Sequence, residues 1–265
     1  MSIKESKSEL FTVSGIDTVE LEPGSRTGSS RKIVTAFERY IQPCLAEVLG
    51  CALFIFVGCG SVIENVNITG SIQPAVAHGL ALASVIAVLG QISGGHFNPA
   101  VSVSVSICGG LDLILLGPYI LSQMVGGMIG ASLAKAVSSN QSYTNSIGGA
   151  FKVVGTSEDV FHATIAEIIM TFFLSLVVCM AAVNSRTRTP LAPLCVGLTV
   201  TANILAGGSV SGGCMNPARA FGPALAANYW QYHWIYWVGP LTGALLTGVL
   251  LRLILGDQKT RVVLK

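Results

Sequence analysis

Charged residues are scarce in this chain. Asp, Glu, Lys and Arg together make up 11% of its 265 residues, whereas they make up about 25% of an ordinary soluble domain. Hydrophobic residues make up 51%, and the mean hydropathy is +0.67. This composition excludes an ordinary soluble domain and makes the lipid bilayer the expected surroundings. The net charge is only +2 and the basic residues form no continuous stripe, so no nucleic-acid partner is expected.

Motifs for catalysis and metal binding are also absent. The seven cysteines include no Cys-x-x-Cys pair and no Cys/His spacing typical of a metal site, and most lie in apolar runs, so we interpret them as packing residues. The apolar part of the chain contains no nucleophile–base pair and no phosphate-binding loop. We therefore expect no enzymatic activity, no metal and no cofactor.

Long apolar runs dominate the rest of the chain. Residues 1–39 are polar, lack the apolar core of a cleaved signal peptide, and are predicted to be a disordered tail. A membrane helix needs about 20 mostly apolar residues. Six windows come close to this length: Cys44–Ile63, Ile72–Leu89, Ile114–Val137, Val160–Val183, Leu191–Ala206 and Trp234–Leu255. The prediction is an all-α membrane protein whose channel domain covers residues 40–256, followed by a short tail, 257–265.

A repeated motif lies between these windows. The sequence "SGGHFNPAVS" begins at Ser93 and "SGGCMNPARA" begins at Ser211. Asn is a good helix N-cap and Pro is favoured at the first helical position, so each motif predicts a helix start. The two helices, Pro99–Gly109 and Pro217–Asn228, would each span about 15 Å, half of the hydrocarbon core. The motif residues are Asn98, Pro99, Ala100, Asn216, Pro217 and Ala218.

The repeat extends to the flanking spans. "AEVLGCALF" at Ala46 matches "AEIIMTFFL" at Ala166, and "LGPY" at Leu116 matches "VGPL" at Val238. Repeat one covers about 40–137 and repeat two about 158–256, each with three spans and one half-span. An odd number of crossings makes the second repeat inverted, which predicts a site near the bilayer midplane.

The basic residues in short loops predict the orientation. Those that fall on one side are Arg31, Lys32, Arg39, Arg186, Arg188, Arg252, Lys259, Arg261 and Lys265, and that side is predicted to be cytoplasmic, with both termini. Two N-glycosylation acceptor patterns, at Asn67 and Asn140, fall on the opposite side. The plasma membrane is our first expectation, with intracellular and mitochondrial inner membranes left open.

Two Asn-Pro-Ala half-helices within six-span inverted repeats resemble the aquaporin family over about 43–255. The resemblance implies a bilayer-embedded homotetramer, with the N-termini of the half-helices meeting at each pore centre and the Asn98 and Asn216 amides donating to passing water. It also implies that Glu47 and Glu167 are structural carboxylates that accept hydrogen bonds from the motif loops. A proton-relay role for these carboxylates is the alternative.

The resemblance further implies a filter formed by His78, Ile204, Gly213 and Arg219. Strictly water-selective members have Phe and His where this chain has His78 and Ile204, and the filter here is similar to that of plant vacuolar-membrane aquaporins. This implies a passive channel for water, ammonia and hydrogen peroxide, with urea as a further candidate and with protons and ions excluded. Glycerol is less favoured, since Ala220 rather than Asp follows Arg219.

Two alternatives stay open. A secondary transporter of a small polar solute can also use inverted repeats and broken helices, although such a transporter would need ion-coordinating groups at the midplane. Cys214 is a candidate site of mercurial block, although the position usually responsible in relatives is held here by Gly213.

Overall fold

The computed structural model describes residues 35–66, 68, 70–153 and 155–263, and every regular element within them is a helix. Within these described residues, six helices are long and apolar enough to cross a membrane, which agrees with the predicted count. The long helices are α1 (Gln42–Glu64), α2 (Ile72–Ser93), α4 (Leu113–Val137), α6 (Ser157–Val178), α7 (Ala192–Ser211) and α9 (Ile235–Leu250). The short ones are α3 (Pro99–Ile107), α5 (Asn140–Asn145) and α8 (Pro217–Ala227).

Several boundaries differ from the prediction. Helical structure begins at Phe37, within the predicted tail, as a π-helical turn Phe37–Ile41 that leads into α1. Helix α7 ends at Ser211, five residues beyond the predicted Ala206, where Gly212 adopts a left-handed conformation with φ 93°. Two more π-helical turns, Cys179–Val183 and Leu251–Leu255, extend α6 and α9. The apolar composition therefore predicts where the spans lie. It does not predict where each helix ends, which depends on the local backbone conformation.

The two half-helices begin as the sequence predicts. Asn98 Oδ1 accepts a hydrogen bond from the Ala100 N–H at 2.9 Å, and Asn216 Oδ1 accepts one from the Ala218 N–H at 2.9 Å. A proline follows each Asn at the first helical position, where its missing N–H breaks no bond. Each Asn is therefore the N-cap of its half-helix.

Glycines allow the long helices to approach closely. A Cβ placed on Gly130 of α4 would lie 2.4 Å from the Ala52 carbonyl oxygen of α1, and one on Gly243 of α9 would lie 2.5 Å from the Ile168 carbonyl oxygen of α6. Helices α1 and α4 thus pack as α6 and α9 do, which is the relation expected of two repeats. Large apolar side chains lie exposed along the outer faces of all six long helices, as a bilayer requires.

The chain does not leave the bundle at residue 257. The backbone N–H of Val262 donates to the Arg252 carbonyl at 2.9 Å, and the N–H of Arg261 donates to the Asp257 carbonyl at 2.8 Å. Residues 257–263, predicted to be a tail, therefore fold back against the end of the last span. The segment folds back because the Asp257 side chain stabilises a compact turn. The pattern of apolar residues does not predict such a turn.

Candidate functional site

The centre of the fold is where the two half-helices meet. Phe97 and Met215, which precede the two motif asparagines, have positive φ values of 47° and 55°. This left-handed conformation is uncommon outside glycine, and each of the two carbonyls is bonded across the centre. Asn98 Nδ2 donates to the Met215 carbonyl at 2.9 Å, and Asn216 Nδ2 donates to the Phe97 carbonyl at 2.9 Å.

The hydrogen-bonding capacity of the two asparagines is largely used by the protein. Each side-chain oxygen caps its own half-helix, and one of the two amide N–H groups bonds the opposite motif. An Asn amide has two N–H groups, so one per asparagine is left over. Asn98 and Asn216 both line the central cavity, together with His96 and Met215. The remaining N–H groups are therefore available to a solute there.

Two buried carboxylates hold the motif loops. Glu47 of α1 accepts hydrogen bonds from the Ser93 hydroxyl, the His96 and Phe97 backbone N–H groups and the Gln123 amide, at 2.6–3.0 Å. Glu167 of α6 accepts hydrogen bonds from the Ser211 hydroxyl and from the N–H groups of Cys214 and Met215, at 2.6–2.8 Å. Both side chains are fully buried. A buried carboxylate is costly without such donors, so each one fixes the conformation of a loop.

Arg219 is among the largest fully buried side chains of the described residues, with 1% of its surface exposed. It lies in the first turn of α8, three residues after the Asn216 cap. Its Nη1 donates to the Gly149 carbonyl at 3.0 Å, and its guanidinium carbon lies 4.6 Å from the centre of the Phe151 ring. A backbone carbonyl and an aromatic face therefore hold a charge that would otherwise be expensive to bury.

His78 lies on α2 beside this arginine. Its Nδ1 is 2.6 Å from the Pro74 carbonyl oxygen, one turn earlier in the same helix, and its Nε2 receives the Arg219 Nε–H. The ring packs closely against α1, because a Cβ on Gly58 would lie 2.5 Å from Nε2. Both ring nitrogens thus have protein partners, and the imidazole is fixed in place.

The four predicted filter residues come together at one level of the molecule. The central cavity and a second cavity, which opens towards the loops around Asn65 and Phe151, share three lining residues: His78, Ile204 and Gly213. Arg219 lines the second cavity at the same level. Three of the predicted filter residues therefore lie where the two cavities meet, and Arg219 is hydrogen-bonded to one of them, His78.

Sequence reasoning missed Gly149 and Phe151, which lie in the connection between α5 and α6 and contact Arg219. It also missed Gln123, which donates directly to Glu47, and the two tyrosines that bond the motif loops, Tyr119 and Tyr236. Tyr119 and Tyr236 donate to the Ser93 and Ser211 carbonyls at 2.8 Å. The repeated Ser-Gly-Gly could have suggested the serines, since Ser93 and Ser211 occupy equivalent places.

The remaining predicted site residues are the candidate mercurial site and the two candidate glycosylation sites. Cys214 lines the central cavity, and its thiol donates to the Asn216 carbonyl at 3.1 Å. Asn140 is exposed at the start of α5. Asn67 lies outside the described residues.

Comparison with known proteins agrees with this geometry. The profile of the Major intrinsic protein family matches residues 35–251. The chain is 59% identical to aquaporin-8 of Rattus norvegicus over 229 residues, which is 86% of this chain and 87% of that protein. It is 40% identical to aquaporin TIP2-1 of Arabidopsis thaliana over 217 residues, 78% of this chain and 84% of that protein. Among solved structures, it is similar to the aquaglyceroporin from Plasmodium falciparum, with a TM-score of 0.68, 21% identity, and coverage of 82% of this chain and 97% of that one.

Proposed function

The chain belongs to the major intrinsic protein family, the aquaporins, and we propose that it passes ammonia and hydrogen peroxide besides water, with urea as a further solute. As a member of this family it is an integral membrane channel for water and small solutes and is not an enzyme. The observation that carries the finer proposal is the Arg219–His78 pair at the boundary between the two cavities.

The proposed filter presents few hydrogen-bond donors to a solute. His78 has both ring nitrogens engaged, and Ile204 contributes only an aliphatic surface. Arginine has five N–H groups, of which Arg219 uses one for His78 and one for Gly149. The remaining three can donate to a solute that accepts hydrogen bonds. Water, ammonia and hydrogen peroxide all accept hydrogen bonds.

Exclusion of charge is proposed to follow from the same groups. Both half-helices direct their N-termini, which carry partial positive charge, towards the centre. The buried Arg219 adds a full positive charge at the filter. Cations and protons would thus meet an unfavourable potential twice, and water that accepts from both asparagines cannot easily relay a proton.

The structural roles follow the same proposal. We assign Asn98 and Asn216 as the central donors, His78, Ile204, Gly213 and Arg219 as the filter, and Cys214 as the mercurial site. Glu47 and Glu167 are assigned as scaffold groups, because all of their backbone donors belong to the motif loops.

The surroundings of the channel are also part of the proposal. The end of the bundle with residues 186, 188, 252, 259 and 261 carries a local excess of basic side chains, which supports cytoplasmic termini. The exposed Asn140 at the other end then faces outward as a glycosylation acceptor, which supports the plasma membrane. The apolar outer faces of the helices give room for a homotetramer.

Stopped-flow light scattering tests this function. The purified chain is reconstituted in proteoliposomes and exposed to an osmotic step, and then to ammonium, peroxide and urea gradients. A channel gives fast shrinkage with a low activation energy and no saturation. Saturable or ion-coupled flux would instead support a secondary transporter. Permeability to water but to none of the three solutes would contradict the proposed selectivity while leaving the channel intact.

A further inference from the structure

We propose that the end of the bundle that carries the termini has a built surface for anionic phospholipid headgroups. This basic end surface consists of five side chains from two segments far apart in sequence: Arg186, Arg188, Arg252, Lys259 and Arg261. The inference is independent of what passes through the pore.

Asp257 brings the two segments together. Its Oδ2 accepts hydrogen bonds from the backbone N–H and the hydroxyl of Ser185, in the connection between α6 and α7. Its Oδ1 accepts from the backbone N–H groups of Lys259 and Thr260 at 3.1 and 2.8 Å. Asp257 and Thr260 are both buried. One carboxylate therefore fixes Arg186 and Arg188 beside Lys259 and Arg261, although the two segments are 72 residues apart.

Within the described part of the chain, the basic side chains of this surface have no carboxylate in ion-pair contact. Among the described residues, the one ion pair is Arg39 with Asp112, so none of the five basic side chains has a carboxylate partner there. The nearest acid, Asp257, uses both oxygens for Ser185 and its own turn. Arg186, Arg188 and Lys259 are exposed, and Arg252 and Arg261 are half-buried. Five basic side chains in the same region, without an ion-pair partner among the described residues, can attract a phosphate group.

The position of the surface favours a lipid over a soluble phosphate compound. Arg252 belongs to the last turn of the sixth span, so the surface begins where the membrane-crossing segment ends. Val262 and Val263 are 52% and 49% exposed directly beside Arg261. Exposed apolar side chains next to basic ones are typical of segments that lie at the boundary of headgroups and acyl chains. The proposed cytoplasmic orientation places them at the leaflet rich in anionic lipid.

Native mass spectrometry of the full chain in detergent tests the proposal. The protein is mixed with equal amounts of phosphatidylserine and phosphatidylcholine of the same acyl chains, and bound lipids are counted. We expect the wild-type chain to prefer phosphatidylserine. In Arg186→Gln/Arg188→Gln, affinity for phosphatidylserine should fall by about fivefold per charge, or roughly 25-fold. The matched control, Lys135→Gln/Lys152→Gln, removes two charges at the opposite end and should change binding little.

The Asp257→Ala variant distinguishes binding at a defined arrangement of basic side chains from a general attraction between a positive protein and an anionic lipid. The substitution makes the chain more positive by one charge, so a general attraction would strengthen binding of phosphatidylserine. We expect weaker binding, because the two basic segments are no longer held together. If this variant does not elute as a folded protein, Ser185→Ala, which removes one of the donors to Asp257, is measured with the same expected direction.

Three results would overturn the proposal. These are equal binding of the two lipids by the wild-type chain, equal losses in the two double variants, and stronger binding by Asp257→Ala. Glycerophosphoserine, the soluble headgroup, is added in excess as a further arm. It should leave most of the lipid bound, and complete displacement by it would assign the surface to a soluble phosphate compound.

Discussion

Arg219 donates a hydrogen bond from Nε to Nε2 of His78 at 3.0 Å. A guanidinium can only donate, so His78 Nε2 is the acceptor and the proton of the neutral ring is on Nδ1, where the Pro74 carbonyl receives it. The two residues belong to different repeats, 141 positions apart. The filter therefore joins the two repeats. The tautomer of His78 depends on Arg219, and Arg219 Nε depends on His78 for its acceptor.

Replacing His78 with Phe should reduce ammonia and peroxide flux more than water flux. The larger apolar ring leaves Arg219 Nε without its acceptor and narrows the boundary between the two cavities. We expect solute permeability to fall about tenfold, equivalent to about 1.4 kcal/mol of barrier, and water permeability to fall less. Stopped-flow measurements on proteoliposomes check this, with the exposed His162→Phe as control. Equal losses for water, ammonia and peroxide would refute the filter argument.

Glu47→Gln and Glu167→Gln should each destabilise the fold. At least one backbone N–H points at each carboxylate oxygen, so the amide nitrogen of Gln opposes a donor in either orientation. Burying such a mismatch costs about 1–3 kcal/mol. Thermal unfolding in detergent measures the loss. Glu64→Gln, at the exposed end of α1, is the control and should be close to neutral. Unchanged unfolding temperatures in both variants would disprove the scaffold role.

Gly130→Ala should destabilise the packing of α1 against α4. The added methyl group would lie 2.4 Å from the Ala52 carbonyl oxygen, so the two helices must separate. Overpacking of this kind costs about 1–3 kcal/mol. Gly117→Ala in the same helix has no atom within 4 Å of the new methyl and should be neutral or slightly stabilising. Thermal unfolding compares the pair, and equal effects would contradict this account of the close approach.

Cys214→Ser should make water flux resistant to mercurials. The Cys214 thiol is next to the motif and lines the central cavity, where a bound mercury ion would obstruct the path. Osmotic permeability before and after addition of mercuric chloride measures the effect. Cys195 is a half-buried residue of α7. The Cys195→Ser variant is the control, and its water flux should remain sensitive to mercurials. If the Cys214→Ser channel is blocked as strongly as wild type, the site lies at another cysteine.

The Asp257 turn should resist acid until the pH is low. Burial raises the pKa of Asp257, but the hydrogen bonds from Ser185 and Thr260 outweigh it and lower the pKa from 3.8 to about 2. A carboxyl with a lowered pKa stabilises the fold above its unfolded value, and that stability is lost as the pH falls towards the folded value. The difference in unfolding temperature between wild type and Asp257→Ala should therefore be constant from pH 8 to pH 5. It should shrink below pH 3.8. A difference that already shrinks near pH 6 would exclude Asp257 as the titrating group.

The centre of the site was predictable because its chemistry is local. Asn98 and Asn216 cap the helices that they precede, and the spacing to Arg219 is fixed by one helical turn. The contacts of Arg219 with Gly149 and Phe151 were not predictable, since they depend on a connection in which Ile147 and Gly148 both have positive φ. The end of α7 was missed because Gly207, Gly208 and Ser209 are not apolar, although the helix continues through them.

The crossed bonds between Asn98 and Met215 and between Asn216 and Phe97 have a consequence for how the channel works. They tie the two repeats together at the pore centre, the point about which one half would have to rock against the other to open each side in turn. Such a cycle would break both bonds in every turnover. A channel needs no such cycle, so both bonds can persist while solute passes and the direction of net flow follows the gradient.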